Sequence, residues 1–261
     1  MKKIIIVLMV CFVAFFAGTA KAQTINFGDS RNYWPNWGNN DHDPWPGTDN
    51  DLDSIGTPNF IGGSAEVTGG RLTSLTINRT SSFSSVLSPG DLFIDLGANE
   101  GWDYVVDLTT WTSPSANPSL NPDPGVGNYP FYSIDLALGN PGMDDSLDGY
   151  ILSGTDLTGG WAGYYIRDDH PVAVNLDEIT GETNVGSVGF NGWNGSASYT
   201  FTFANGGLDL GNSGSFIIGW GANCANDVIY EKLTPVPEPA SLSLLGLGLL
   251  GLFGFKKRKK G

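Results

Sequence analysis

The chain has 261 residues, with 27 Asp and Glu against 13 Lys and Arg, a formal net charge of −14, and only two cysteines. Eight of the 13 cations fall in residues 1–22 and 236–261 while 26 of the 27 acids lie between, so residues 23–235 carry −21. A surface of that sign repels nucleic acid and anionic lipid and attracts divalent cations, which excludes nucleic-acid binding.

At the N-terminus Lys2 and Lys3 precede an apolar run over residues 4–16, and Ala20-Lys21-Ala22 follows with small residues at its first and third places. A charged start, a short apolar stretch and an A-x-A site are the anatomy of a secretory signal peptide over residues 1–22, with the mature chain beginning at Gln23. Cys11 lies inside this leader, and Val10 before it argues against lipidation. That leaves Cys224 as the one thiol of the mature chain, so no internal disulfide can form there. Its neighbours Trp220 and Val228 place it beside the last strands, where burial as a small hydrophobe is expected.

Residues 23–235 are long enough for one all-β domain. Tyr33, Trp34, Trp37 and Trp45 crowd a stretch rich in Asn, Pro and Gly. Flat rings on a loop suit stacking on a sugar face, though ordinary loop packing would use the same residues. Next come Asp41 and Asp43, then Asp49, Asp51 and Asp53 at alternate positions. Alternate carboxylates on a loop gather hard oxygens on one side, a pattern calcium prefers. A second candidate calcium loop holds Asp144, Ser146 and Asp148 at positions one, three and five, with Gly149 at six. It departs from an EF-hand at position twelve, where Thr155 stands in place of Glu, and no helical pattern flanks it. A solvated acidic turn is the alternative for both loops.

Helical periodicity is nearly absent. Short alternating or β-branched runs over residues 71–79, 92–96, 102–106, 131–137, 162–166, 198–203, 216–220 and 227–231 are separated by Gly, Pro, Asn, Asp and Ser. Residues 92–96 and 102–106 read as a hairpin, residues 113–130 as a long loop and residues 207–214 as a tight turn region. Turn punctuation about every ten residues predicts an all-β fold, an antiparallel β-sandwich of jelly-roll-like type in a single domain. For catalysis the inventory is thin. His42 and His170 are the only histidines, neither sits in a metal motif, and no G-x-S-x-G elbow exists. Carboxylate pairs are too numerous to single out any two for glycoside cleavage.

The C-terminus is a second address. Residues 240–255 are all apolar, Gly or Ser, and Lys256, Lys257, Arg258, Lys259 and Lys260 follow. Sixteen residues at helical rise reach roughly 24 Å, close to a bilayer core once lysine snorkelling and local thinning are allowed. The basic cluster then stops transfer on the cytoplasmic side. Just before this run stands Pro237-Glu238-Pro239, whose two prolines deny the backbone a helix and leave the triplet extended at the membrane face.

Triplet, apolar helix and basic cluster together resemble a PEP-CTERM sorting signal over residues 236–261. The resemblance implies recognition by an exosortase in the inner membrane of a Gram-negative bacterium and cleavage near the triplet. Delivery to the cell surface or an extracellular polysaccharide matrix would follow. Residues 224–228 (Cys-Ala-Asn-Asp-Val) and 165–172 (Tyr-Ile-Arg-Asp-Asp-His-Pro-Val) also resemble recurring pieces of such exported proteins, and neither implies an activity. The expected function is therefore a non-enzymatic structural or adhesive protein of the cell surface or matrix. The alternatives are a carbohydrate-binding module that holds matrix polysaccharide and, behind it, a polysaccharide-processing enzyme. Calcium is the one cofactor expected.

Overall fold

A computed structural model describes residues 22–29, 59–80, 89–97, 101–109, 126–137, 151–153, 171–174, 176, 179, 181–192, 196–222 and 227–235. Over these the chain is all-β, with strands β1 (Ala22–Phe27), β2 (Phe60–Thr68), β3 (Arg71–Arg79), β4 (Leu92–Leu96), β5 (Gly101–Val106), β6 (Gly127–Ala137), β7 (Ile151–Ser153), β8 (Pro171–Val174), β9 (Thr183–Asn191), β10 (Ser198–Phe203), β11 (Leu208–Asp209), β12 (Phe216–Gly221) and β13 (Val228–Leu233). Among the described residues no helix is long and apolar enough to cross a membrane. Residues 1–21 of the expected leader and the apolar tail lie outside them, while Ala22, its last expected residue, opens β1; the expected strand over 162–166, Cys224, His42 and His170 also lie outside.

Eleven strands form one antiparallel sheet in the order β1-β2-β3-β10-β9-β6-β5-β4-β12-β13, with β11 pairing β3 beside that path; β7 and β8 pair separately. The expected sandwich of two sheets is instead one continuous hydrogen-bonded surface, curled until it is nearly a barrel. The curl has a local cause. Register slips between β2 and β3 (at Phe60/Gly62 and Glu66/Val67), between β5 and β6 (at Trp102/Tyr104) and between β6 and β9 (at Phe131/Tyr132) bend the strands and sharpen their twist. At the seam, the Phe60 amide of β2 donates to the Asp227 carboxylate at the start of β13.

The hairpins obey turn chemistry. Gly69 and Gly70 join β2 to β3 with φ of 59° and 75°, the two positive angles of a type I′ turn. The expected β4–β5 hairpin forms, pairing Leu92 with Val106 and Ile94 with Tyr104. The long loop expected over 113–130 is shorter, because β6 begins at Gly127 and takes in Pro130. Proline is tolerated there because β5 has already ended: Val106 faces Phe131, and Pro130 faces β9 at Ser187. The Pro130 carbonyl still accepts the Asp107 amide at 3.1 Å.

Both faces of part of the sheet are buried. Inside the curl, Trp220 sits among Tyr199 at 5.0 Å, Phe60 at 5.1 Å and Phe201 at 5.7 Å between ring centroids, joined by Leu75, Ile77, Phe190 and Ile218. Outside, Phe93, Trp102, Val105, Ile217 and Tyr230 form a second cluster under Val174 and Ile179. This explains why β12, Phe-Ile-Ile-Gly-Trp-Gly, reads as an unbroken apolar run rather than an alternation.

Candidate functional site

The end of the barrel where β2 turns into β3 carries a cavity of about 210 Å³. Arg71, first residue of β3, stands at its rim. Its guanidinium donates to the Gly206 carbonyl at 3.0 Å, to the Gly207 carbonyl, and to Asp209 Oδ2 at 3.2 Å. The two carbonyls belong to the turn leaving β10, where Asn205, Gly206 and Gly207 adopt φ of 54°, 82° and 98°, and Asp209 to β11 just beyond it. Gly207 is obligatory on a second ground, since a methyl carbon there would lie 2.4 Å from the Leu72 carbonyl oxygen. Asp209 also accepts the Gly211 amide at 2.8 Å, which closes the following turn. Ion pair and turns together set the course of the backbone from Asn205 to Gly211 on the rim.

The floor is aromatic. Tyr104 of β5 stacks on Phe131 of β6 at 5.4 Å and 25°, and Phe131 meets Phe203 of β10 edge-on at 5.5 Å and 73°. Val185, Gly186 and Ser187 of β9 and Leu208 complete the lining. Tyr104 faces inward in step with Val106, and Trp102 is out of step with both. Strict alternation would put Trp102 on that same face, but the slip between Trp102 and Tyr104 sends Trp102 to the outer cluster. Partial burial pushes the Tyr104 phenol above its ordinary value, and the charges of Asp103 and then Asp209 add to this. The hydroxyl stays protonated and able to donate.

A second constellation is built around Asp91, which is fully buried ahead of β4. Its Oδ1 accepts the amides of Leu108 at 2.8 Å and Thr109 at 2.9 Å; its Oδ2 accepts the Val174 amide at 2.8 Å and the Thr109 hydroxyl at 3.3 Å. Burial raises this carboxyl well above the usual carboxylate range and nearby Asp107 raises it further, while the three amides pull it down. With both oxygens engaged, Asp91 ties the ends of β5 and β8 to the start of β4. That is a structural clamp.

The residues singled out from sequence fall elsewhere. Asp49, Asp51, Asp53, Asp144, Ser146, Asp148, Tyr33, Trp34, Trp37 and Trp45 lie outside the described residues, as do Pro237, Glu238, Pro239 and the cluster from Lys256 to Lys260. Among the described residues no three His, Cys, Asp or Glu side chains gather as a metal site. Arg71, Tyr104, Asn205 and Asp209 were not legible as a group. The available signals were Arg71 as one of five cations between the ends and the Gly-rich turn after residue 203.

No curated protein and no solved structure matches the chain. The PEP-CTERM protein-sorting motif matches residues 235–259, which cover the triplet, the apolar run and most of the basic cluster. The chain carries a PEP-CTERM sorting motif and is thereby an exported, exosortase-targeted protein.

Proposed function

We propose that the protein works outside the cell as a non-enzymatic structural or adhesive component of the envelope or extracellular matrix. The sorting motif at residues 235–259 carries this reading, because it directs export and membrane-associated sorting of whatever precedes it. A tightly packed sheet with two apolar clusters suits a part that must persist in an unprotected environment. The test is the intact mass and location of the released protein. The expected form begins at Gln23, ends near Pro237-Glu238-Pro239 and fractionates with surface or matrix material. A released form that keeps Lys256 to Lys260 would count against exosortase processing, and a processed form found only in the free medium would count against the matrix role.

A second reading, a carbohydrate-binding module, is favoured by the cavity at the barrel mouth, where an aromatic floor meets a rim of Arg, Asp and Asn. Barrel mouths of this composition are common ligand sites.

A further inference from the structure

The cavity between Arg71, Tyr104, Asn205 and Asp209 has a size, chemistry and charge that narrow its occupant. Its volume of about 210 Å³ accommodates one small ring system and not an extended chain. Phe131, Phe203 and Leu208 are almost wholly buried beneath it, so the floor is apolar and firmly packed, with half-buried Tyr104 its more exposed ring. Around that floor the polar groups alternate in kind. Tyr104 supplies a phenol hydroxyl, Asn205 an amide with both donors and an acceptor, and Asp209 a carboxylate. A patch of C–H surface ringed by several hydroxyls is the complement of such a lining, and a hexose ring has that pattern.

Charge decides which hexose. Among the described residues Arg71 is the one cation on the rim, and Asp209 with two carbonyls already engages its guanidinium. Among the described residues no uncompensated positive charge is left for a carboxylate or sulfate. The domain's own −21 makes the approach of an anion worse still. Asp209 Oδ1 and Oδ2 each keep a lone pair beyond the Gly211 amide and the Arg71 guanidinium, so they can accept from adjacent sugar hydroxyls.

We infer that the barrel mouth binds a single neutral hexose unit, at a chain end or side branch of an uncharged polysaccharide, through Tyr104, Asn205 and Asp209. This rests on the carbohydrate-binding reading above and names its site and sugar class. Asn205 and Tyr104 act on sugar hydroxyls, Asp209 accepts from a neighbouring pair, and Arg71 holds Asp209 and the turn in place.

The test is saturation-transfer NMR and titration of the purified full chain in detergent with methyl glycosides of glucose, galactose and mannose, against methyl glucuronide. At least one neutral glycoside is expected to bind in the millimolar range, with the glucuronide at least tenfold weaker. Asn205→Gly suits the left-handed backbone at this position, and Tyr104→Phe keeps the ring stack. Each is expected to weaken binding about fivefold to tenfold, the worth of one or two hydrogen bonds, with the melting temperature unchanged. Failure of all three neutral glycosides to bind, equal binding of the glucuronide, or indifference to both substitutions overturns the inference. Matrix fractionation of the Asn205→Gly, Tyr104→Phe double variant separates the two claims. A variant that no longer binds glycoside yet stays in the matrix leaves the matrix role standing without the mouth as its anchor. A wild-type protein that binds glycoside but is absent from the matrix retains the site and loses the role.

Discussion

Asp91 is the residue at which burial and hydrogen bonding oppose each other most directly. Four donors converge on its carboxylate, an arrangement that favours the ionised form, yet full burial and the neighbouring Asp107 raise its proton affinity. The net shift is upward from the ordinary 3.8. The folded protein therefore holds this proton to a higher pH than the unfolded chain does. Stability from this group is complete below 3.8 and is lost as pH rises through the folded value. Asp91→Asn cannot ionise, so its unfolding free energy should fall less steeply between pH 4 and pH 7 than the wild type's. It should also begin lower, by roughly 2–3 kcal/mol, because an amide NH2 would face a buried backbone N–H. Urea unfolding at pH 4, 5, 6 and 7 measures both effects. A variant whose pH slope equals the wild type's would mean that Asp91 does not carry the proton.

At the scale of elements, the strands depend on glycines that propensity alone would count against. β2 contains Gly62 and Gly63, yet Gly63 pairs with Phe27 of β1 on one side and Ile77 of β3 on the other. A methyl carbon on Gly63 would lie 1.9 Å from the Thr76 carbonyl oxygen and 2.8 Å from the Phe27 ring. The close approach of three strands is possible only without a side chain there. Gly63→Ala should cost roughly 3 kcal/mol, since backbone rather than a flexible side chain must move. Gly28, one residue past β1, has nothing within 4 Å of the same carbon, so Gly28→Ala should change stability by less than about 1 kcal/mol. Denaturant midpoints of the two variants compare them directly; equal midpoints would mean the contact at Gly63 relaxes freely. Bulges matter as much as glycines. Strict alternation in β3 sets Leu72 against Leu75 and Ile77, but the slip opposite Glu66 and Val67 brings all three into the core. The extra residue, Thr73, donates its hydroxyl to the Glu66 carbonyl at 3.0 Å across the irregular pairing.

For the whole molecule, charge is the feature with the widest reach. A domain at −21 repels itself in the compact state, and any cation bound only by the folded form relieves that repulsion. The expected calcium loops at Asp49, Asp51 and Asp53 and at Asp144, Ser146 and Asp148 would serve this purpose. We therefore predict that millimolar calcium raises the melting temperature above that in magnesium or chelator at equal ionic strength. At a hundredfold excess over the dissociation constant the gain is roughly 2.7 kcal/mol. Equal melting in calcium and magnesium would assign the effect to screening, and equal melting in all three conditions would make the acidic runs solvated turns.

Much of the architecture follows from local rules that the sequence displays. β3, β4 and β10 occupy the runs expected over 71–79, 92–96 and 198–203, because β-branched and aromatic residues between turn residues have few other stable conformations. The address is equally local: a triplet, an apolar run and a basic cluster act in order along the chain, without help from any fold. The glycine-rich strands β2 and β9 were not legible, since their stability comes from neighbours that pack against bare backbone and not from their own side chains. The curl of the sheet depends on bulges, and a bulge is a property of two paired strands. The mouth is further still from sequence. Residues 71, 104, 131, 187, 205 and 209 share one cavity only because β3, β5, β6, β9, β10 and β11 meet at one end of a nearly closed sheet. By itself the sequence determined where the protein is sent and that it is built of strands, because those properties reside in contiguous segments. Which side chains line the mouth was decided by tertiary structure, because register and closure bring together residues that the chain keeps far apart.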